Sequence, residues 1–297
     1  MKLNSEAVKG RTPYALPTIF TVGTLFCGYY CLMKTVQALS LPPDQLDEAA
    51  RLYNHAALAI GLGVFTDGMD GRIARLTNAV SDFGREIDSL ADVITFGVAP
   101  AMLAVAWGIR PPELAGHPFL ADILPATGYL LTFLYVTCGA ARLARFNVQK
   151  NPRPKNPGRP GRKYFVGLPI PPAAGMLAAV VHFHGGYPIQ NWWPGGALWL
   201  LLIGLLGFLM VSTWRYTSLK DISVLQIPSL VMVVFFATLI FLIWNFSEPM
   251  LLAIATAFVA SGIVTRIGGL LRFRARRSRR DQETPRPSES KSISGEV

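Results

Sequence analysis

The chain has 297 residues, 51% of them hydrophobic and 15% charged, with 28 Lys and Arg against 18 Asp and Glu and a formal net charge of +10. Soluble domains carry about 25% charged residues, so this composition argues against a water-soluble globular domain and for a chain of membrane-spanning helices. Three cysteines imply no disulfide framework.

In chain order, residues 1–15 form a short polar lead-in. Eight apolar stretches follow, at about 16–39, 52–75, 82–108, 121–141, 166–184, 196–213, 226–246 and 249–270. Each approaches the roughly 20 residues that a bilayer-spanning helix needs. The first run is long, lacks a clear cleavage signal and precedes many others, so it reads as a span rather than a signal peptide. The second and third hold acidic residues that a plain hydropathy scan penalises. Between the fourth and fifth lies KNPRPKNPGRPGRK (150–163), whose prolines predict a loop. RFRARRSRR (272–280) reads either as a contact for anionic lipid headgroups or as a topology anchor. The polar residues 281–297 are expected to be disordered. No internal repeat is visible, which counts against a transporter built from duplicated halves.

Charge placement supports this layout. With the N-terminus inside, the inner segments hold 25 of the 28 Lys and Arg, leaving Arg51 and Arg110 outside and Lys34 within the first span. Basic residues gather in cytoplasmic loops, so both termini are expected there. The same placement accounts for much of the positive charge without a nucleic-acid partner.

The expected fold class is therefore an all-α integral membrane protein of about eight helices. Its most informative stretch is TDGMDGRIARLTNAVSDFGREIDSLADVITF, which places Asp67, Asp70, Asp88 and Asp92 inside two apolar segments. Carboxylates in a membrane are costly and are retained for function. At 100° per residue, Asp70, Gly71, Ala74 and Arg75 fall with Asp67 on one helix face about 140° wide. On the next helix Gly84, Asp88 and Asp92 step by about 40° each and form a second stripe. Asp82 and Glu86 point away from that stripe. Asn78 and Ser81 suit a helix end and a new N-cap, so the two helices make a hairpin whose stripes can meet. The rise of about 1.5 Å per residue puts Asp70 and Asp88 roughly 9 Å, and Asp67 and Asp92 roughly 14–15 Å, below the cytoplasmic ends.

Four gathered carboxylates repel one another unless divalent cations join them, and hard Mg²⁺ or Mn²⁺ prefers oxygen ligands. Gly71 and Gly84 allow close approach of the helices or a ligand. Arg75 offers a planar cation to a phosphate or nucleotide. A metal cluster at this depth suits a lipid diphosphate, with one carboxylate deprotonating an attacking hydroxyl. The reading is metal-assisted phosphoryl transfer on a membrane lipid. The competing reading is a structural or ion-conducting acidic cluster.

The pattern Asp67-x2-Asp70-Gly71-x2-Ala74-Arg75-x8-Gly84-x3-Asp88-x3-Asp92 resembles the signature of the CDP-alcohol phosphatidyltransferases, with every fixed position present. The resemblance implies a membrane enzyme with a six-helix core, usually a homodimer. It also implies use of Mg²⁺ or Mn²⁺ to transfer a phosphatidyl group from a CDP-linked lipid to an alcohol with release of CMP. By position, Asp67, Asp70 and Asp88 would be metal ligands, and Asp92 the general base and a further ligand. Gly71, Ala74 and Arg75 would line the CDP site.

LPTIFTVGTLFCGYY (16–30), DSLADVITFGVAPA (88–101), ARLARFNV (141–148) and YFVGLPIPPAAG (164–175) are similar to the branch of that family using CDP-diacylglycerol and L-serine. Thr18 and Thr24 stand where that branch often has asparagine. Serine's carboxylate needs a cation, for which Arg142 and Arg145 are candidates, Lys163 a weaker one. Topology anchoring and a phosphatidyl-phosphate contact are the other readings of the two arginines. The GLPIPPAAG segment is expected to kink or start the fifth span. Another acceptor (glycerol phosphate, choline or inositol phosphate) and a cation transporter are the rival functions. The implied location is the cytoplasmic membrane, with the site facing the cytoplasm. Cys27, Cys31 and Cys138 read as small packing residues, although Cys27 and Cys31 share a helix face. His55, His117, His182 and His184 carry no metal-site pattern.

Overall fold

A computed structural model describes residues 12–76, 82–109, 118–148, 164–189, 192–217 and 229–283. Among the described residues, eight helical rods carry the fold. They are α1 (Thr12–Leu39), α2 (Leu46–Leu76), a compound rod made of α3 (Asp82–Asp92) and α4 (Ala99–Gly108), α5 (Pro118–Val148), α6 (Ile170–Phe183), α7 (Ala197–Val211), α8 (Ser229–Asn245) and α9 (Ser247–Glu283). Five described helical stretches are long and apolar enough to cross a bilayer: Ile19–Leu39, Phe83–Gly108, Ile123–Val148, Pro194–Val211 and Ser247–Arg266. The chain is thus a multi-pass membrane protein. Large apolar side chains facing outward from these rods, such as Phe26, Phe133 and Leu201, each more than 60% exposed, fit a lipid surround.

Three of the eight expected spans miss that standard, each for a physical reason. The 52–75 stretch lies in α2, whose last turns carry Asp67, Asp70, Arg72 and Arg75. The 166–184 stretch yields a helix of only 14 residues, because Pro169 holds extended backbone and α6 starts at Ile170. The 226–246 stretch contains α8, with 17 described residues. The all-α expectation also needs a small correction. β1 (Tyr164–Val166) and β2 (Arg215–Thr217) pair antiparallel, with Phe165 opposite Tyr216. The basic 272–280 run continues the helix of α9. The 149–163 loop, Lys163, His117 and the final residues 284–297 lie outside the described residues.

The compound rod is the centre of the structure. Between α3 and α4, within the expected 82–108 span, the backbone widens into a π-helical turn, Val93–Val98. Such turns are rare and concentrate at functional sites, because the extra residue per turn re-aims the side chains around it. Thr95, Phe96 and Gly97 in this turn are all buried. The Tyr135 hydroxyl of α5 donates to the Phe96 carbonyl at 2.9 Å. Lower on the rod, Trp199 donates to the Ala104 carbonyl at 3.2 Å and Tyr53 to the Ala106 carbonyl at 3.3 Å. Trp107 donates from the rod to the Gly186 carbonyl at 3.1 Å. Buried polar atoms of aromatic rings need such partners, and here they lock α2, α5 and α7 onto one rod.

The helix α1 reaches the π turn through Gly28. A Cβ at this position would sit 2.6 Å from Thr95 Oγ1 and 2.7 Å from Thr95 Cα, and the latter is backbone that cannot step aside. Gly28→Ala is therefore expected to destabilise the fold by about 1–3 kcal/mol, the usual cost of overpacking. A lowered thermal transition of the detergent-solubilised protein checks this. Gly23→Ala is the control, since a Cβ there meets nothing within 4 Å.

Candidate active site

Asp67 lies in the C-terminal part of α2, and Asp88 and Asp92 lie one turn apart on α3. Residues 77–81, between α2 and α3, lie outside the described residues, and Asp67 of the first acidic stripe meets Asp88 and Asp92 of the second. One carboxylate oxygen from each of the three lies within 4.8 Å of the others. Asp92 is buried, whereas Asp67 and Asp88 are half-buried. Three oxygen donors converging in a low-dielectric setting fit a divalent metal ion, which offsets their mutual repulsion. Among the described residues, this is the group of His, Cys, Asp or Glu side chains that converges in this way.

Asp70, Gly71, Ala74 and Arg75 continue α2 to its end at Leu76, but their side chains lie outside the described residues. Gly84 is half-buried on α3, and Glu86 is exposed, in keeping with its place off the acidic stripe.

A layer of threonines, of which the sequence reading singled out Thr24 but not Thr66 or Thr95, supports the carboxylates. Thr66, next to Asp67, donates to the Gly63 carbonyl at 3.0 Å, and its hydroxyl lies 2.8 Å from that of Thr24. Thr95, one turn beyond Asp92, donates to the Thr24 carbonyl at 3.0 Å. Thr24 and Thr95 are almost wholly buried. These short hydroxyls tie α1, α2 and the π turn together directly beside the acidic cluster. Thr24 thus supplies a hydrogen bond from the first helix.

The C-terminal end of α5 also reaches the cluster. Arg142 lies beside both Arg145 and Asp92. Its Nε is buried and has no hydrogen-bond partner among the described residues. A buried guanidinium nitrogen without an acceptor is costly, and an anion bound here would supply that acceptor. Arg145 is more open and points its Nη2 at the Val166 carbonyl, 3.5 Å away. Two residues further on, Asn147 donates to Ser89 Oγ at 2.8 Å, and Ser89 donates to the Arg85 carbonyl at 2.9 Å. That pair joins α5 to α3 next to Asp88.

The remaining candidates separate from the site. Cys27 and Cys31 are buried free thiols within the α1 packing, and Cys138 is a half-buried free thiol on α5. His55 and His184 are exposed. His182 is buried and bridges helices, with Nδ1 2.6 Å from Asn54 Oδ1 and Nε2 3.0 Å from Ser247 Oγ. It is a structural node between α2, α6 and α9, a role its spacing from His184 did not reveal.

The geometry defines a multi-pass membrane protein whose three converging carboxylates could hold a divalent metal, with an arginine beside them. Residues 14–193 match the family described as CDP-alcohol phosphatidyltransferase. A protein from Helicobacter pylori (strain ATCC 700392 / 26695), named CDP-diacylglycerol–serine O-phosphatidyltransferase, is 34% identical over 230 residues, covering 77% of this chain and 82% of the relative. One of the same name from Bacillus subtilis (strain 168) is 34% identical over 210 residues, or 69% of this chain and 91% of the relative. The Saccharomyces cerevisiae protein of that name is 35% identical over 157 residues, 53% of this chain and 50% of its own. The chain belongs to the CDP-alcohol phosphatidyltransferase family. All of the described site residues named above, from Thr24 to Arg145, lie within the matched segment.

Proposed function

We propose that this protein is a CDP-diacylglycerol–serine O-phosphatidyltransferase, which moves the phosphatidyl group of CDP-diacylglycerol to the hydroxyl of L-serine and releases CMP. The convergence of Asp67, Asp88 and Asp92 within 4.8 Å is the observation that carries the chemistry. The shared name of relatives from several organisms supports serine as the acceptor.

Asp67, Asp70, Asp88 and Asp92 would hold Mg²⁺ or Mn²⁺, which when bound neutralises the diphosphate and the departing phosphate. Gly71, Ala74 and Arg75 line the CDP moiety. The serine hydroxyl attacks the β-phosphorus of the lipid diphosphate. Its proton passes to the Asp92 carboxylate as the new phosphorus–oxygen bond forms. The bond from that phosphorus to the bridging oxygen breaks, and the oxygen leaves with CMP. Burial of Asp92 keeps competing water from the attacking position. Arg142 and Arg145 receive the serine carboxylate, and Arg142 Nε brings an unused buried donor to that task. Eight spans with both termini in the cytoplasm, the site opening to that side, and a homodimer in the cytoplasmic membrane complete the reading. The distribution of Lys and Arg supports the orientation.

Purified protein with CDP-diacylglycerol, Mn²⁺ or Mg²⁺ and a panel of alcohols provides the test. CMP release is expected with serine, to stop with a chelator, and to return when either metal is restored. Release with glycerol phosphate, choline or inositol phosphate but not serine would overturn the acceptor. Unchanged release in chelator would overturn the metal site.

A further inference from the structure

Residues beyond the family-matched segment 14–193 build part of the support for Arg145. The path begins at Val166, whose carbonyl is 3.5 Å from Arg145 Nη2. The next residue, Gly167, has φ of +77°, which places it in the left-handed region. A Cβ there would fall 3.4 Å from Arg145 Nη2, so the guanidinium lies along the bare backbone of this turn. The turn is held by Gly167 N–H donating to the Trp214 carbonyl at 2.8 Å, and by Leu168 N–H donating to the Leu209 carbonyl at 3.0 Å. Both acceptors belong to the segment from α7 into β2. Across the ribbon, Tyr216 pairs with Phe165 and Arg215 with Val166.

Two three-residue strands are too short to hold themselves. The anchor is Tyr216, which is fully buried and stacks on Phe258 of α9, with ring centroids 6.1 Å apart and planes 16° from parallel. Gly262 of α9 makes this possible, since a Cβ there would collide with the Tyr216 ring. The helix α9 is itself fixed at its far end by the Ser247–His182 contact of 3.0 Å.

Resting on the reading of Arg145 as part of the acceptor site, we propose that α9 tunes serine binding through the β1–β2 ribbon. Tyr216, Phe258 and Gly262 act as positioning residues for Arg145. This assigns a role to the last helix, which among the described residues adds no carboxylate to the acidic cluster.

Steady-state kinetics of Gly262→Leu, and of Phe258→Leu as a milder change that removes the stacked ring, test the proposal. Each is expected to raise the serine KM, by about fivefold or more for Gly262→Leu, with kcat and the CDP-diacylglycerol KM within about twofold. In an Arg145→Ala background the same substitutions should add no further rise, because the path already ends there. Rises of equal size in both backgrounds, a wild-type serine KM in the folded variants, or parallel loss of kcat and lipid affinity would overturn it. If Arg145→Ala alone keeps the wild-type serine KM, the acceptor role of Arg145 fails and this proposal with it. If Arg145→Ala raises that KM and the α9 variants do not, the proposal alone fails.

Discussion

Asp92→Asn is expected to lower kcat by about 10²- to 10⁴-fold, the range over which a positioned general base accelerates proton transfer. The substitution keeps the side-chain shape at the end of α3 and removes the basic oxygen that takes the serine proton. Asp92 is buried beside Asp67 and opposite Arg142. Its loss should therefore show in turnover while the fold, read by the thermal transition and elution of the purified protein, survives. Thr95 and Phe96 just beyond it hold the π turn through their own bonds to α1 and α5. Turnover of Asp92→Asn at the wild-type rate would remove Asp92 from the proton path. The same substitution at Asp67 or Asp88 should instead raise the metal concentration needed for half-maximal rate.

Arg142 gives the second large effect. Truncating one partner of a buried charge arrangement commonly costs about 2–5 kcal/mol, so Arg142→Ala is expected to lose roughly 30-fold or more in kcat/KM for serine. Arg142→Lys should recover only part of this, because an ammonium restores the charge but not the planar fork that meets a carboxylate. The two assignments of this side chain differ in one kinetic constant. Recognition of the acceptor raises the serine KM, whereas contact with the phosphatidyl phosphate raises the CDP-diacylglycerol KM. Wild-type constants for both would return Arg142 to a topology anchor.

The acidic cluster was legible in the sequence because helical periodicity is regular. Spacings of four residues along α3, and a short break before it, bring Asp88 and Asp92 to the face that meets Asp67. The supporting structure was not legible in the same way. A π turn leaves no pattern in residue type, and Val93–Val98 reads as ordinary apolar helix. Thr66 and Thr95 look like unremarkable small residues until Thr24 of α1 meets Thr66 and both Gly28 of α1 and Gly63 of α2 close on Thr95. The β1–β2 ribbon pairs segments about fifty residues apart, and three-residue strands carry no alternation to detect. His182 was passed over because its partners, Asn54 and Ser247, come from distant helices. Arg142 was placed from composition and topology, but its buried Nε emerged only in three dimensions.

The direct transfer of phosphatidyl to the serine oxygen is tested most sharply by L-serine labelled with ¹⁸O in its hydroxyl. The account predicts that phosphatidylserine formed from CDP-diacylglycerol carries the label in its serine–phosphate bridge and that CMP carries none. Label appearing with the CMP phosphate, or phosphatidylserine formed without the label, would contradict it.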